Sequence, residues 1–106
     1  MPRYYAIRNI AMTDPTLLVL ASLADGDKHG YAIMADVREF AGLSLGPGTL
    51  YGAITRLESR GFIKALAAGD RRQPYRLTAA GKAHLQAQLE KLEPVVRVGT
   101  RRLRQA

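Results

Sequence analysis

The stretch GPGTLYGAITRLESRGF, residues 46–62, reads as one short amphipathic helix. Pro47 supplies the fixed φ suited to a first helical turn, where its missing N–H goes unused. Leu50, Ile54 and Leu57 recur at helical spacing and Ala53 completes the stripe, so one face is committed to a core. Gly61 stands where a left-handed C-terminal cap falls. At about 100° per residue, the opposite face carries Gly48, Thr49, Gly52, Thr55, Arg56 and Ser59. Small, polar and basic groups of this kind let a helix enter a DNA major groove without steric conflict. An ordinary solvated face has the same composition, and the segment alone leaves both readings open.

The flanking sequence supplies more helices before this one and a change of period after it. Asp14 reads as an N-cap with Pro15 at the first helical position, and Leu17, Leu18, Leu20, Ala21 and Ala24 make the helix that follows largely apolar. A second helix is expected from about Lys28 to Ala41, with Tyr31, Ile33, Met34, Val37 and Phe40 as its buried stripe and Gly42 as its end. After residue 61 the pattern turns extended. Phe62–Ala67 and Tyr75–Thr78 are strand candidates, joined by Ala68–Gly69–Asp70, with Arg71 and Arg72 at the turn. Pro74 argues for an edge position, which a two-stranded wing allows. Thr78 then caps a last helix. The expected fold is mainly α with a small β-hairpin, a winged helix-turn-helix plus a C-terminal dimerisation helix. Residues 1–12 form an N-terminal arm, 13–78 the winged domain, and 79–106 the dimerisation helix and basic tail.

The last helix carries a second pattern. Leu85, Leu89, Leu92, Val96 and Leu103 fall on alternating four- and three-residue steps, with Gly99 in the remaining position, which is the spacing of a coiled-coil seam. Pro94 is expected to kink or break the helix. An apolar stripe beyond a completed domain buries itself against a second subunit or back onto the first helix, and the homodimer is the favoured reading. Arg97, Arg101, Arg102 and Arg104 make the tail basic, either as a solvated end or as a further phosphate contact.

Composition narrows the partners. The chain has 106 residues, 47% of them hydrophobic, which suits one domain with a real core. Sixteen Lys and Arg against nine Asp and Glu give a net charge of +7, which favours a polyanionic partner such as double-stranded DNA. The absence of cysteine excludes a disulfide scaffold and thiolate metal sites. Arg3 and Arg8 ahead of the apolar residues 16–24 mimic a signal peptide. Asp14 and Pro15 interrupt that pattern, so the run is read as a capped core helix and the chain as cytoplasmic, with no membrane partner.

Signatures of catalysis are missing. GPGT and Gly81–Lys82–Ala83 both lack the Gly-Lys-Ser/Thr ending of a phosphate loop. His29 and His84 have no carboxylates spaced for metal binding, and no serine or threonine has a general-base partner. Asp36, Glu39, Glu58, Glu90 and Glu93 read as solvated charges, with Glu93 and Arg97 an i,i+4 pair. No enzyme activity, cofactor or metal is expected.

HGY at 29–31, PGTLY at 47–51, RLE at 56–58, RGFI at 60–63 and YRLTAAGKAHL at 75–85 together resemble the PadR family of winged-helix transcriptional regulators. The short tail is similar to the branch with a single C-terminal dimerisation helix. The resemblance implies a homodimer that binds an inverted repeat near a promoter, usually as a repressor, and in many relatives releases DNA on binding a small aromatic or hydrophobic compound. It also implies that Pro47–Arg60 is the recognition helix and Phe62–Thr78 the wing. Two positions depart from the family pattern. Gly46 replaces the frequent serine before PGTLY, and the chain lacks the tryptophans between which some members hold ligands.

On this reading Thr49, Thr55, Arg56 and Ser59 face the major groove, with Arg56 the candidate for guanine readout. Gly48 and Gly52 let the backbone approach closely. Tyr51 either reaches a phosphate or packs in the core. Lys28 and His29 lie at a helix N-terminus suited to phosphate, with a capping or core role the alternative for His29. Arg71 and Arg72 reach backbone phosphate or the minor groove, and Lys64 either assists or is a solvated strand charge. An effector pocket is placed between Tyr4 and Tyr5 of the arm and Leu89, Leu92 and Val96 of the last helix. Rival functions are a nonspecific DNA coat, RNA binding and a protein-interaction module.

Overall fold

The computed structural model describes residues 14–67 and 72–106, so the arm with Tyr4 and Tyr5, and Arg71 at the turn, lie outside the described residues. Asp14 opens helix α1 (Pro15–Leu23) as its cap, accepting from the Thr16 N–H at 3.0 Å and the Thr16 hydroxyl at 2.7 Å. Val19, Leu20 and Leu23 are buried, and the helix packs against every other described helix and the middle strand of the sheet. A helix apolar nearly all round is the one that occupies the centre.

The chain then forms β1 (Lys28–His29), α2 (Gly30–Ala41), α3 (Pro47–Ser59), β2 (Ile63–Ala65), β3 (Pro74–Leu77) and α4 (Ala79–Gln105). Ile33 and Val37 of α2, Leu50, Ala53, Ile54 and Leu57 of α3, Ile63, Tyr75 and Leu77 of the sheet, and Leu85 of α4 close around α1. Each fully buried Leu or Ile contributes about 1.5–3 kcal/mol. The stripe expected of α3 is the stripe found.

Three expectations need correction. First, α2 starts at Gly30 rather than Lys28. His29 has φ −84° and ψ 170°, extended backbone, because its ring caps the helix by accepting from the Ala32 N–H at 3.3 Å. Secondly, the hairpin has a third strand. The order is β1-β3-β2, all antiparallel, with Lys28 opposite Tyr75 and His29 opposite Pro74. Pro74 therefore lies on the central strand, not at an edge. It is tolerated as the first residue of that strand, where its carbonyl still accepts from the Leu66 N–H at 2.9 Å. Thirdly, Pro94 does not break α4, which runs as one α-helix of 27 residues. One absent N–H removes one rung of a long ladder.

The stripe of α2 is narrower than expected. Tyr31 and Phe40 are 70% and 51% exposed, while Ile33 and Val37 face the core. Asp36, read as a solvated charge, accepts a 2.8 Å hydrogen bond from the buried Ser22 hydroxyl and so ties α2 to α1.

Candidate nucleic-acid interface

Helix α3 is held by its buried stripe, which leaves the other face outward. Gly48, Thr49, Tyr51, Thr55, Arg56 and Ser59 are exposed and Gly52 is half-buried. Gly46 caps the helix through its extended backbone without a side-chain bond, as expected of glycine there. The Thr55 hydroxyl donates to the Tyr51 carbonyl at 2.9 Å, and the Ser59 hydroxyl donates to the Arg56 carbonyl at 3.0 Å. Both are exposed rotors that can exchange these bonds for an outside acceptor. A Cβ on Gly48 would meet nothing within 4 Å, so the protein itself makes no demand for glycine there.

The first turn of α2 and the root of the wing meet beside this face. Arg72 places a guanidinium nitrogen 3.2 Å from His29 Nε2, and its central carbon lies 5.9 Å from the Tyr31 ring centroid. Tyr51 lays its ring over Gly30, where a Cβ would come within 2.3 Å of the hydroxyl. His29, Gly30, Tyr31, Tyr51, Arg72 and Gln73 line a cavity of about 230 Å³. Tyr31 lines this cavity although at helical spacing it is indistinguishable from a core position.

Lys28 and Lys64 stand apart from this cluster. Lys28 turns toward the end of α1, donating to the Ser22 carbonyl and the Asp25 carboxylate. This differs from the phosphate-facing placement expected of it. Lys64 is opposite Arg76 in the sheet. Arg76 donates to both carboxylate oxygens of Asp27, at 3.1 and 2.8 Å.

Those contacts carry a pH dependence. Hydrogen bonding from Arg76, aided by the charges of Arg76 and Lys64 and opposed by slight desolvation, holds the Asp27 carboxyl below its ordinary 3.8. Lys28 does the same for Asp25. A carboxyl depressed in the folded state adds stability above its ordinary pKa and loses it as pH falls from there through the folded value. Asp27→Asn is therefore expected to lower the urea midpoint slightly at neutral pH and by progressively less as pH is taken below the ordinary carboxyl value of 3.8, the pair being exposed. Equal effects above and below that value would refute the ion-pair origin.

The seam of α4 divides between two roles. Leu85 is 7% exposed and belongs to the chain's own core, which removes it from the expected dimer seam. Leu89, Val96 and Leu103 are 47%, 65% and 79% exposed, and Leu92 is half-buried. The Glu93–Arg97 pair forms at 2.9 Å. A cavity of about 440 Å³ lies between the ends of α1 and β3 and the middle of α4. Leu77, Leu85 and Leu89 line it, whereas Leu92 and Val96 do not. Among the described residues, no group of three His, Asp or Glu could hold a metal ion, and no helix is long and apolar enough to cross a membrane.

Two helices packed on a central apolar one, followed by a wing and a projecting helix, define a winged helix-turn-helix. The sequence profile of the "Transcriptional regulator PadR-like family" matches residues 19–87, and the chain belongs to that family, one of regulators rather than enzymes.

The fold is similar to a PadR family transcription regulator from Clostridium difficile R20291, with 32% identity and a TM-score of 0.73 over 84% of this chain and 97% of that one. A transcriptional regulator from Clostridium thermocellum has 28% identity and a TM-score of 0.74, covering 88% of this chain and 93% of the other. Bacillus subtilis PadR, whose structure is in complex with operator DNA, has 28% identity and a TM-score of 0.60, covering 70% of this chain and 45% of that one. A 37.1 kDa protein of unknown function in transposon Tn4556 of Streptomyces fradiae is 47% identical over 73 residues, and the match spans only 21% of its length.

Proposed function

We propose that this chain is a cytoplasmic, homodimeric transcriptional regulator that binds an inverted repeat in double-stranded DNA near a promoter and represses transcription. The carrying observation is the outward face of α3 lying beside the His29, Tyr51 and Arg72 cluster. In this reading α3 enters the major groove, Thr49, Thr55, Arg56 and Ser59 meet base edges, and Gly48 and Gly52 admit the groove wall closely. Arg72 and Arg71 contact backbone phosphate at the wing. The charge of +7 supports a polyanionic partner, and the operator complex of Bacillus subtilis PadR supports DNA as that partner. Second copies meet along Leu89, Leu92, Val96 and Leu103. A small hydrophobic or aromatic effector binds the apolar cavity beside Leu89, and a thermal-shift screen of such compounds tests that part.

The decisive experiment is an anisotropy titration on DNA upstream of the chain's own gene, competed with unrelated duplex at near-physiological salt. Specific regulation requires a preference of about 10³-fold or more. Binding that the competitor erases points to a nonspecific coat, and no binding at low salt points to a protein-interaction role. Arg56→Ala is expected to cost about 1–3 kcal/mol of operator binding and to relax preference at one base position. A binding-site selection checks this, and unchanged preference would show that α3 lies in another orientation.

A further inference from the structure

In the cavity between α2, α3 and the wing root, two hydrogen-bond donors face each other. Nδ1 of His29 accepts the Ala32 N–H at 3.3 Å and so caps α2. A neutral imidazole has one N–H and one acceptor nitrogen, so this cap places the ring hydrogen on Nε2. Nε2 lies 3.2 Å from an Arg72 guanidinium nitrogen, and a guanidinium only donates. The two groups therefore face each other as donors. Moving the ring hydrogen to Nδ1 would satisfy Arg72 and remove the cap. An acceptor placed between Nε2 and Arg72 resolves the conflict with the cap intact.

We propose that this cavity binds one phosphate of the DNA backbone, whose oxygens accept from His29 Nε2–H and Arg72 together. The proposal rests on the DNA-binding reading and adds to it a specific phosphate with two coupled ligands. The Tyr31 ring lies near the guanidinium, and the Tyr51 hydroxyl enters from the α3 side over Gly30. Gln73 does not compete, since its amide donates to the Leu66 and Pro74 carbonyls, and Lys28 is engaged at α1. The source is a DNA strand rather than a free anion because Tyr51 belongs to α3 itself. A strand flanking that helix passes the cavity.

The test is a double-mutant cycle on a random-sequence duplex of about 20 base pairs at low salt, two helical turns long. Asn retains the cap in His29→Asn but cannot extend a donor to the Nε2 position. His29→Asn and Arg72→Ala are each expected to weaken binding about tenfold, as befits a hydrogen bond to a charged group. Arg72→Ala alone is expected to flatten the logarithmic salt dependence by about 0.9. The double variant is expected to bind about as weakly as the weaker single one, because both groups hold the same phosphate. Losses that multiply, or undiminished binding by His29→Asn, overturn the proposal.

Long-range ¹H–¹⁵N spectra of the wild-type chain give a readout independent of variant folding. With duplex bound, the ring hydrogen is expected on Nε2, and a hydrogen on Nδ1 overturns the proposal. Inorganic phosphate that shifts the His29 nitrogens when duplex does not would reassign the cavity to a free anion. Wild-type protein that binds no duplex at all fails the DNA-binding reading itself. Normal wild-type binding with unaffected variants fails only the two-ligand phosphate site.

Discussion

Gly81→Ala is expected to lower stability by about 3 kcal/mol, at the upper end of overpacking costs. Gly81 lies in the first turn of α4, and a Cβ there would come within 2.0 Å of the Phe62 carbonyl oxygen and 2.7 Å of Leu77 Cδ1. The leucine tip can rotate away, but the carbonyl cannot. Phe62 O accepts from the Thr78 N–H at 3.0 Å, while the Thr78 hydroxyl donates to Gly61 O at 2.7 Å and accepts from Gly81 N–H at 3.0 Å. Moving α4 outward to admit a methyl breaks this set of bonds. The better helix propensity of alanine offsets only about 1 kcal/mol. The melting temperature should fall by about 15 °C, given about 4–8 °C per kcal/mol in a domain of this size. Gly48→Ala is the control, since its Cβ meets nothing within 4 Å. It should leave stability unchanged or slightly raised. A Gly81→Ala melt within a few degrees of wild type would mean that α4 can shift freely against the wing base.

Leu89→Asp is expected to give a monomer in sedimentation and to weaken binding to a two-half-site operator by about a hundredfold or more, the advantage that linked half-sites confer. Helix α4 is about 40 Å long at 1.5 Å per residue. Among the described residues, the buried side of α4 is confined to its first turns, at Gly81 and Leu85, and Leu89, Val96 and Leu103 are exposed. A carboxylate within a covered seam would be buried without a partner, which a dimer does not tolerate. Because Leu89 is half exposed in the single chain, the monomer should keep its fold. Leu85→Asp should instead unfold the domain, since Leu85 is 7% exposed within the core. A wild-type chain that is itself monomeric would remove the proposed dimer. A dimeric Leu89→Asp variant would move the contact elsewhere.

Much of the architecture was legible because its signals are local. Asp14 with Pro15, Gly46 with Pro47, and Thr78 with Gly81 mark helix starts through contacts within a few residues. The stripe Leu50, Ala53, Ile54 and Leu57 fixes which face of α3 is outward. What escaped depends on distant partners. Strand β1 has two residues, too few to alternate, and exists through its pairing with Tyr75 and Pro74 some 45 positions away. That pairing makes Pro74 central and starts α2 two residues late. Leu85 and Leu89 both fall on the seam of the heptad, and only the position of the domain core assigns them to different surfaces. Lys28 was expected at phosphate because its charge is visible in sequence, whereas the nearby Ser22 carbonyl that engages it is not. The outward face of α3 and the His29 and Arg72 positions are legible in sequence, but the convergence of His29, Tyr51 and Arg72 on one cavity with Tyr31 required the fold.

The sheet order has a bearing on how copies of this chain can meet. Its two boundary strands, β1 and β2, contain two and three residues, and the longest strand is enclosed between them. Borders that short offer too few free amides to template a neighbouring strand, and the β2 border also carries the exposed Lys64. Fibrous growth through the wing is thereby disfavoured even at high local concentration, whereas the helical seam proposed for the dimer permits a twofold contact that closes on itself.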